Sequence, residues 1–422
     1  MFNSARLLVV ALAFASGALG SVMPRAADKA PSAGAAYFII DDPAQKLVAL
    51  NIAADGTVGP SARVFNAGGT GVRAVHVTPP GKPPVLFSPG PDPLFTQGSV
   101  RVNEKARILV TVNPGSNTVS LFGINAQDPT KLTPIGKPVN SGGEFPNSVV
   151  INSKGTVTCV LNGGKVNGVN CFDIHPIIGL TPKPNTRRLM NVNQTTPPSG
   201  PLGSLSSVVF SPDESILFAV TKGFDATTNG YVAAWKVAHD GSLSKDFVKS
   251  LPDTAGRVPF TLFNIPGSNA YLAADPTVGF LTFDFGNSSS LSATATSFEI
   301  PNQILNCWVA YSSKSGNFYV IDPALSIINE VHYDSKLKPT LVKQYQQLTN
   351  SDTLDSEVAI VNNHAYLYVL QPNATAVTVL SVDRPASASH VQTFNLTPAL
   401  KAAGLASWDK LNFQGMATFL KN

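Results

Sequence analysis

KLVALNI, at residues 46–52, is the first of seven short phrases on which the fold of this chain turns. NTVSLFGI (117–124), GVNCFDI (168–174), YVAAWKV (231–237), GFLTFDF (279–285), SIINEVHY (326–333) and AVTVLSV (376–382) follow it. Each alternates apolar and polar residues, and several follow an Asp-Pro, Asn-Gly or Pro-Gly turn, so each reads as the third strand of a small antiparallel sheet. From Val48 through Val119, Val169, Val232, Phe280 and Ile327 to Val377, four of the six intervals are about 47 to 50 residues, the period of a propeller blade. The pattern predicts an all-β chain, a seven-bladed β-propeller of four-stranded antiparallel blades.

The strands before each phrase agree. SVVINSKGTVTCVLN, SSVVFSPDESILFAVTK, FTLFNIPGSNAYLAAD, CWVAYSSKSGNFYVID and VAIVNNHAYLYVLQ each join two strands by a short polar or Gly-containing turn, and GSVRVNEKARILVTVN opens the first complete blade. AAYFIID near the N-terminus reads as a second strand without a first. NFQGMATF at the C-terminus reads as a first strand without a second. One blade is therefore expected to be stitched from both chain ends, which closes the ring and removes exposed sheet edges. The two long intervals hold VTPPGKPPVLFSPGPDPLF and NTRRLMNVNQTTPPSGPLGS, which are expected to enlarge one rim of the channel mouth, where loops carry function.

Composition fits one large all-β domain at 35–422: hydrophobic residues are 43%, charged residues 13%, and Gly and Pro number 33 each. A net charge of +4 without a Lys/Arg cluster argues against nucleic acid as partner. Arg6, the apolar run 7–19 and Ala18-Leu19-Gly20 form a signal peptide at 1–20, followed by a flexible segment at 21–34. The chain is therefore expected to be secreted and extracellular, with no membrane span or glycolipid anchor. Asn193, Asn287, Asn373 and Asn395 head glycosylation sequons. Cys159 and Cys171 flank a Gly-Lys-Val-Asn-Gly turn and are expected to form a cross-strand disulfide, with two buried free thiols as the alternative. Cys307 is left as a small core residue.

SVVFSPDESILFAVTKG (207–223), VRVNEKARILVTVNPGSNTVSLFGI (100–124) and FQGMATF (413–419) resemble the repeats of seven-bladed lactonase-like propellers, which include 6-phosphogluconolactonase-type proteins and fungal carboxymuconate cyclases. GEFPNSVVINSKG, CVLNGGKVNGVNCF and NVNQTTPPSGP look most like secreted fungal proteins of the carboxymuconate-cyclase-like group. The resemblance covers the whole mature chain. It implies lactone opening or closing by His, Arg and Glu around the mouth, without a cofactor. The chain departs from the family's Pro-Arg-His or Pro-His opening: Phe145-Pro146-Asn147 stands there, and an amide cannot shuttle protons. His175, His239 and His364 read as surface or packing residues.

The polar residues at the starts of first strands remain as a candidate site. Glu357 is the expected general acid or base, and Arg257 the ligand of an anionic substrate. Asn147, Asn306, Gln414 and Arg73 are the expected substrate-binding residues, with Arg187 and Arg188 as further rim candidates. No spaced metal-ligand motif is present, and Asp42-Pro43, Asp275-Pro276 and Asp322-Pro323 read as repeated turns. Two functions follow. A lactonase or carboxymuconate-type cyclase acting on a lactone or dicarboxylate needs an accessible polar pocket. A non-catalytic glycoprotein that binds an extracellular glycan or protein needs only a broad rim over an occluded channel.

Overall fold

A computed structural model describes residues 32–77, 90–224 and 228–421. The expected signal peptide and most of the expected flexible segment lie outside these residues, and strand has begun by Ser32. Seven antiparallel sheets form the expected propeller. In chain order the innermost strands are Val100–Asn103, Pro146–Ile151, Leu205–Phe210, Phe263–Asn264, Trp308–Ser312 and Ser356–Val361 for blades 1 to 6, and Phe413–Leu420 for blade 7. All seven phrases lie on third strands, from Lys46–Ala53 in blade 7 to Ala376–Ser381 in blade 6.

Blade 7 closes the ring as read from the sequence. Its innermost strand comes from the C-terminus and pairs with Ser32–Ile40, Ala35 opposite Phe419 and Ile40 opposite Phe413. Between blades 7 and 1, Tyr37, Ile39, Val110, Leu121 and Phe419 interlock in one buried cluster. Burying each large apolar side chain contributes about 1.5–3 kcal/mol, so the joint between chain ends is held by apolar packing as well as by its strand pairing. Blades 1 and 2 depart from the expected four strands. Short fifth segments, Val139–Asn140 and Arg188–Leu189, pair beside their third strands.

The Asp-Pro turns do more than bend the chain. Asp275 Oδ2 accepts from the backbone N–H groups of Arg257 (2.9 Å) and Val258 (2.7 Å). Asp322 Oδ2 accepts likewise from Ile304 (2.7 Å) and Leu305 (3.2 Å). Proline presets the turn after the second strand, while the aspartate anchors the segment leading into its own blade's first strand.

Cys159 and Cys171 are directly opposite in the second and third strands of blade 2 and form the expected disulfide. Cys307 is a buried free thiol. The disulfide closes a loop that the hairpin already holds, so replacing both cysteines by alanine is expected to lower stability by about 2 kcal/mol, the low end of the usual range. Urea unfolding checks this, and a midpoint unmoved by the double substitution would contradict it.

Candidate functional site in the central channel

The channel mouth is filled. Residues 90–99, GPDPLFTQGS, leave the rim and cross the axis before blade 1 begins, and Leu94, Phe95, Thr96, Gln97 and Ser99 are buried. A chain buried across a channel needs partners for its peptide groups, and this stopper finds them in four blades. Val149 N donates to Gly98 O at 2.8 Å and Ser148 Oγ to Gln97 O at 2.9 Å, from blade 2. Gln97 N donates to Ser206 O of blade 3 at 3.1 Å. Gln97 then pairs its amide with the backbone of Val309 in blade 5, Nε2 to the carbonyl at 2.8 Å and Oε1 from the N–H at 3.1 Å. Thr96 O accepts from Trp308 Nε1 (3.1 Å) and from Gln414 Nε2 (3.0 Å), the latter in blade 7. Asp92 and Phe95 hold positive φ angles of 86° and 53°, a strained backbone that persists because so many partners fix it.

The two long rim segments meet above the stopper. Val75–His76 and Ser199–Gly200 form a two-stranded parallel ribbon, Ala74 N donates to Pro93 O at 2.8 Å, and the His76 ring packs edge-on to Phe95 at 4.7 Å. Burial, and then Arg73, push the His76 imidazole down to about 4, so it is neutral under ordinary conditions. Residues 78–89 of the Pro-rich segment lie outside the described residues.

Beneath the ribbon sits a buried charge cluster: Asp92, Lys222 and Asp355. Lys222 Nζ donates to Phe95 O at 2.5 Å and lies 4.6 Å from the Phe260 ring centroid. Burial drives its ammonium toward the neutral form and the Asp92 carboxyl up, while the attraction between the two opposes both shifts. Asp355 Oδ2 accepts from Gln414 Nε2 (2.6 Å) and Gly415 N (2.9 Å). Burial still raises its carboxyl to about 7.

Strand register shows where the channel reopens. In blades 1, 2, 3, 5 and 6 the residues paired two positions before the end of the second strand, Val100, Val149, Val208, Val309 and Ser356, are all buried, Val149 and Val309 bonded to the stopper. One step farther in, Arg101, Val150, Val209, Phe263 and Glu357 are half-buried, while the small Ala310 of blade 5 and Ala417 of blade 7 stay buried. An innermost strand has neighbouring blades on both faces, so this exposure opens into the channel. The channel is a cup, closed at the mouth and open toward the opposite face. Among the described residues of the seven innermost strands, Arg101 and Glu357 carry the only charges. They stand level on blades 1 and 6, Nη1 to Oε2 3.7 Å, with side chains 26% and 31% exposed. The channel walls strip water from Glu357 and raise its carboxyl, Arg101 opposing the shift.

The residues expected from sequence thus separate. Glu357 lies on the cup wall and Gln414 inside the stopper's network. Asn147 Nδ2 donates to Leu205 O at 2.7 Å, tying blade 2 to blade 3, and Asn306 Oδ1 accepts from Asn329 Nδ2 at 2.9 Å within blade 5. Both side chains are buried. Arg73 pairs at the surface with Asp409 at 3.0 Å. Arg257 stands six residues before the first strand of blade 4, on the mouth side, its carbonyl accepting from Gly223 (3.1 Å) and Gly230 (2.8 Å). Arg101 is not among the residues expected from sequence; it pairs with Val110 and Glu357 with Tyr368, each three positions before the end of its second strand. Among the described residues no three His, Cys, Asp or Glu side chains group as metal ligands, and no helix is long and apolar enough to cross a membrane.

No family profile and no curated protein sequence matches this chain. Solved structures do match. The periplasmic gluconolactonase PpgL of Pseudomonas aeruginosa aligns with a TM-score of 0.59 at 15% identity, over 86% of this chain and 96% of that one. A protein from Bacteroides fragilis, described as a candidate 6-phosphogluconolactonase, gives 0.54 at 14% identity, over 88% and 100%. A hypothetical selenium-binding protein from Sulfolobus tokodaii gives 0.57 at 10% identity, over 87% and 92%. The chain therefore has the propeller fold that the lactonase-like resemblance implied, a fold that carries several activities.

Two measurements test the stopper. Gln97→Ala leaves both backbone groups of Val309 unpaired and is expected to lower unfolding free energy by about 1–3 kcal/mol in urea; an unchanged midpoint would place Gln97 outside the network. The Asp355 carboxyl, raised in the fold from 3.8 to about 7, contributes stability at low pH that is lost as pH climbs through that window. Asp355→Asn keeps both acceptor contacts without the ionisation. It is expected to gain stability relative to the parent between about pH 4 and pH 7, leaving the slope that Asp92 and Lys222 contribute. Parallel stability curves for the two proteins across that range would contradict the assignment.

Proposed function

We propose that this chain is an exported lactonase-like propeller that hydrolyses lactones in the open half of its channel. The observation that carries the reading is the Arg101–Glu357 pair, part-exposed and level with one another, the only charges among the described residues of the innermost strands. Burial makes the Glu357 carboxylate a stronger base than a free one, as proton abstraction from water requires. Glu357 takes a proton from water, and the hydroxide adds to the lactone carbonyl. Arg101 faces the resulting oxyanion. The ring C–O bond then breaks, and the Glu357 carboxyl returns the proton to the departing alkoxide, giving a hydroxy acid. Arg101 takes the orienting role expected of Arg257, which lies on the far side of the stopper.

Export is supported by the signal-peptide pattern and by the disulfide, a bond of oxidising compartments. Asn193, Asn287 and Asn395 are exposed, as sugar attachment requires, whereas Asn373 Nδ2 already donates to Asn350 O at 2.6 Å. A second reading, a glycoprotein that binds extracellular ligands through its rim, draws on the filled mouth and on three exposed apolar residues of that face: Val75 (48%), Val77 (49%) and Phe224 (60%).

The test is hydrolysis of a panel of γ- and δ-lactones, followed by pH-stat. Glu357→Gln and Arg101→Ala are each expected to lower kcat/KM by about a hundredfold or more while leaving the unfolding midpoint within a few degrees. Turnover that survives both substitutions would move the chemistry elsewhere, and no turnover by the folded parent would favour the rim-binding reading.

A further inference from the structure

The cup has two unlike sides. Arg101 and Glu357 come from blades 1 and 6, which flank blade 7, and the residue of blade 7 paired at their level is the small Ala417, so no bulky side chain stands beside the ion pair in that sector. Across the ring, the innermost strands of blades 3, 4 and 5 carry Phe210, Phe263 and Tyr311, all half-buried, Phe210 packed on the core between blades 2 and 3 and the other two on that between blades 4 and 5. Phe263 and Phe210 pair three and four positions before the ends of their second strands, Tyr311 four, so the aromatic sector stands at the level of the ion pair and one step beyond it. Phe318 backs two of these rings, 5.8 Å from Phe263 and 4.9 Å from Tyr311, and is itself buried, which fixes their positions. Val150 and Ile151 on blade 2 and Val358 and Ile360 on blade 6 are further half-buried apolar residues of innermost strands, while Asn264 of blade 4 turns its amide back to its own hairpin, Nδ2 donating to Ser268 O and Ala270 O.

Charge decides what such a cup accepts. A phosphate monoester is a dianion near neutrality, and proteins hold it with several cationic groups or clustered backbone N–H donors. The innermost strands offer one cation, and a carboxylate 3.7 Å away already neutralises it. A phosphorylated sugar lactone would bring two negative charges into an apolar space with no net positive charge, and its hydroxyls would lose water against aromatic rings. An uncharged lactone with an aryl or alkyl body meets neither penalty. Its ring carbonyl reaches the ion pair while its apolar body covers the opposite wall.

We propose that the cup selects uncharged lactones with an aryl or alkyl body and rejects phosphorylated sugar lactones. This inference rests on the lactone reading of the same site for its chemistry, but ligand selection is measurable without turnover.

The kinetic arm compares dihydrocoumarin, an aryl δ-lactone, with 6-phosphogluconolactone. The parent is expected to show kcat/KM at least about a hundredfold higher for dihydrocoumarin, and Tyr311→Ala and Phe263→Ala are each expected to raise its KM about tenfold with kcat little changed. The binding arm uses calorimetry with the stable ring-opened acids, 3-(2-hydroxyphenyl)propionate and 6-phosphogluconate. The first is expected to bind, to lose about tenfold in affinity in Tyr311→Ala, and to gain affinity in Glu357→Gln, which frees Arg101 to pair with its carboxylate; the second is expected to bind no better than inorganic phosphate. Aryl-acid binding weakened by Tyr311→Ala, with no lactone hydrolysed, would uphold this selection and overturn the catalytic reading. Hydrolysis that prefers 6-phosphogluconolactone would uphold the catalytic reading and overturn the selection. Binding of both acids unaffected by Tyr311→Ala and Phe263→Ala would also overturn it.

Discussion

A peptide segment can lie across the axis of a propeller only if its buried peptide groups find partners there, and the carbonyls of Phe95, Thr96, Gln97 and Gly98 find theirs in blades 2, 3, 5 and 7. Buried donors or acceptors left unpaired cost about 1–3 kcal/mol each. Gln97 is central because its single amide satisfies both polar groups of Val309, and Gln414 because it links the stopper to Asp355 in blade 6. The same network explains why Asp92, Lys222 and Asp355 survive far from solvent: each of their carboxylates and the ammonium has backbone or amide partners arranged around the stopper. Everything functional follows from this closure. With the mouth occupied, chemistry or binding inside the ring belongs to the opposite half.

The ring and its closure were legible because they depend on local patterning. Alternation in KLVALNI and its six counterparts, Asp-Pro punctuation, and half-blades at each chain end are all written within a few residues. The Cys159–Cys171 bond was legible for the same reason, since a short turn sets its register.

The stopper was not legible. PDPLFTQGS reads as a proline-rich rim loop, and its buried partners lie far away in the chain, Lys222 127 residues from Phe95 and Gln414 318 residues from Thr96. Nothing local marks Asp92 or Lys222 as buried. Of the site itself, Glu357 was recognised because it follows the start of a clear strand. Arg257 drew attention because GRVPF resembles such a start, whereas the blade 4 strand begins only at Phe263. Arg101 became visible once the pairing register put it level with Glu357. Asn147 and Asn306 are polar for a structural reason, since amides at strand starts tie blades together and order their turns.

The central claim is that the mouth is sealed by an ordered, hydrogen-bonded segment, and native-state hydrogen exchange tests it most directly. The account predicts that the amides of Leu94, Thr96 and Gln97 exchange as slowly as those of Val149 and Val309 in the blades they contact. Exchange of these three at the rate of an exposed loop, with the blade amides still protected, would show that the mouth is open and contradict it.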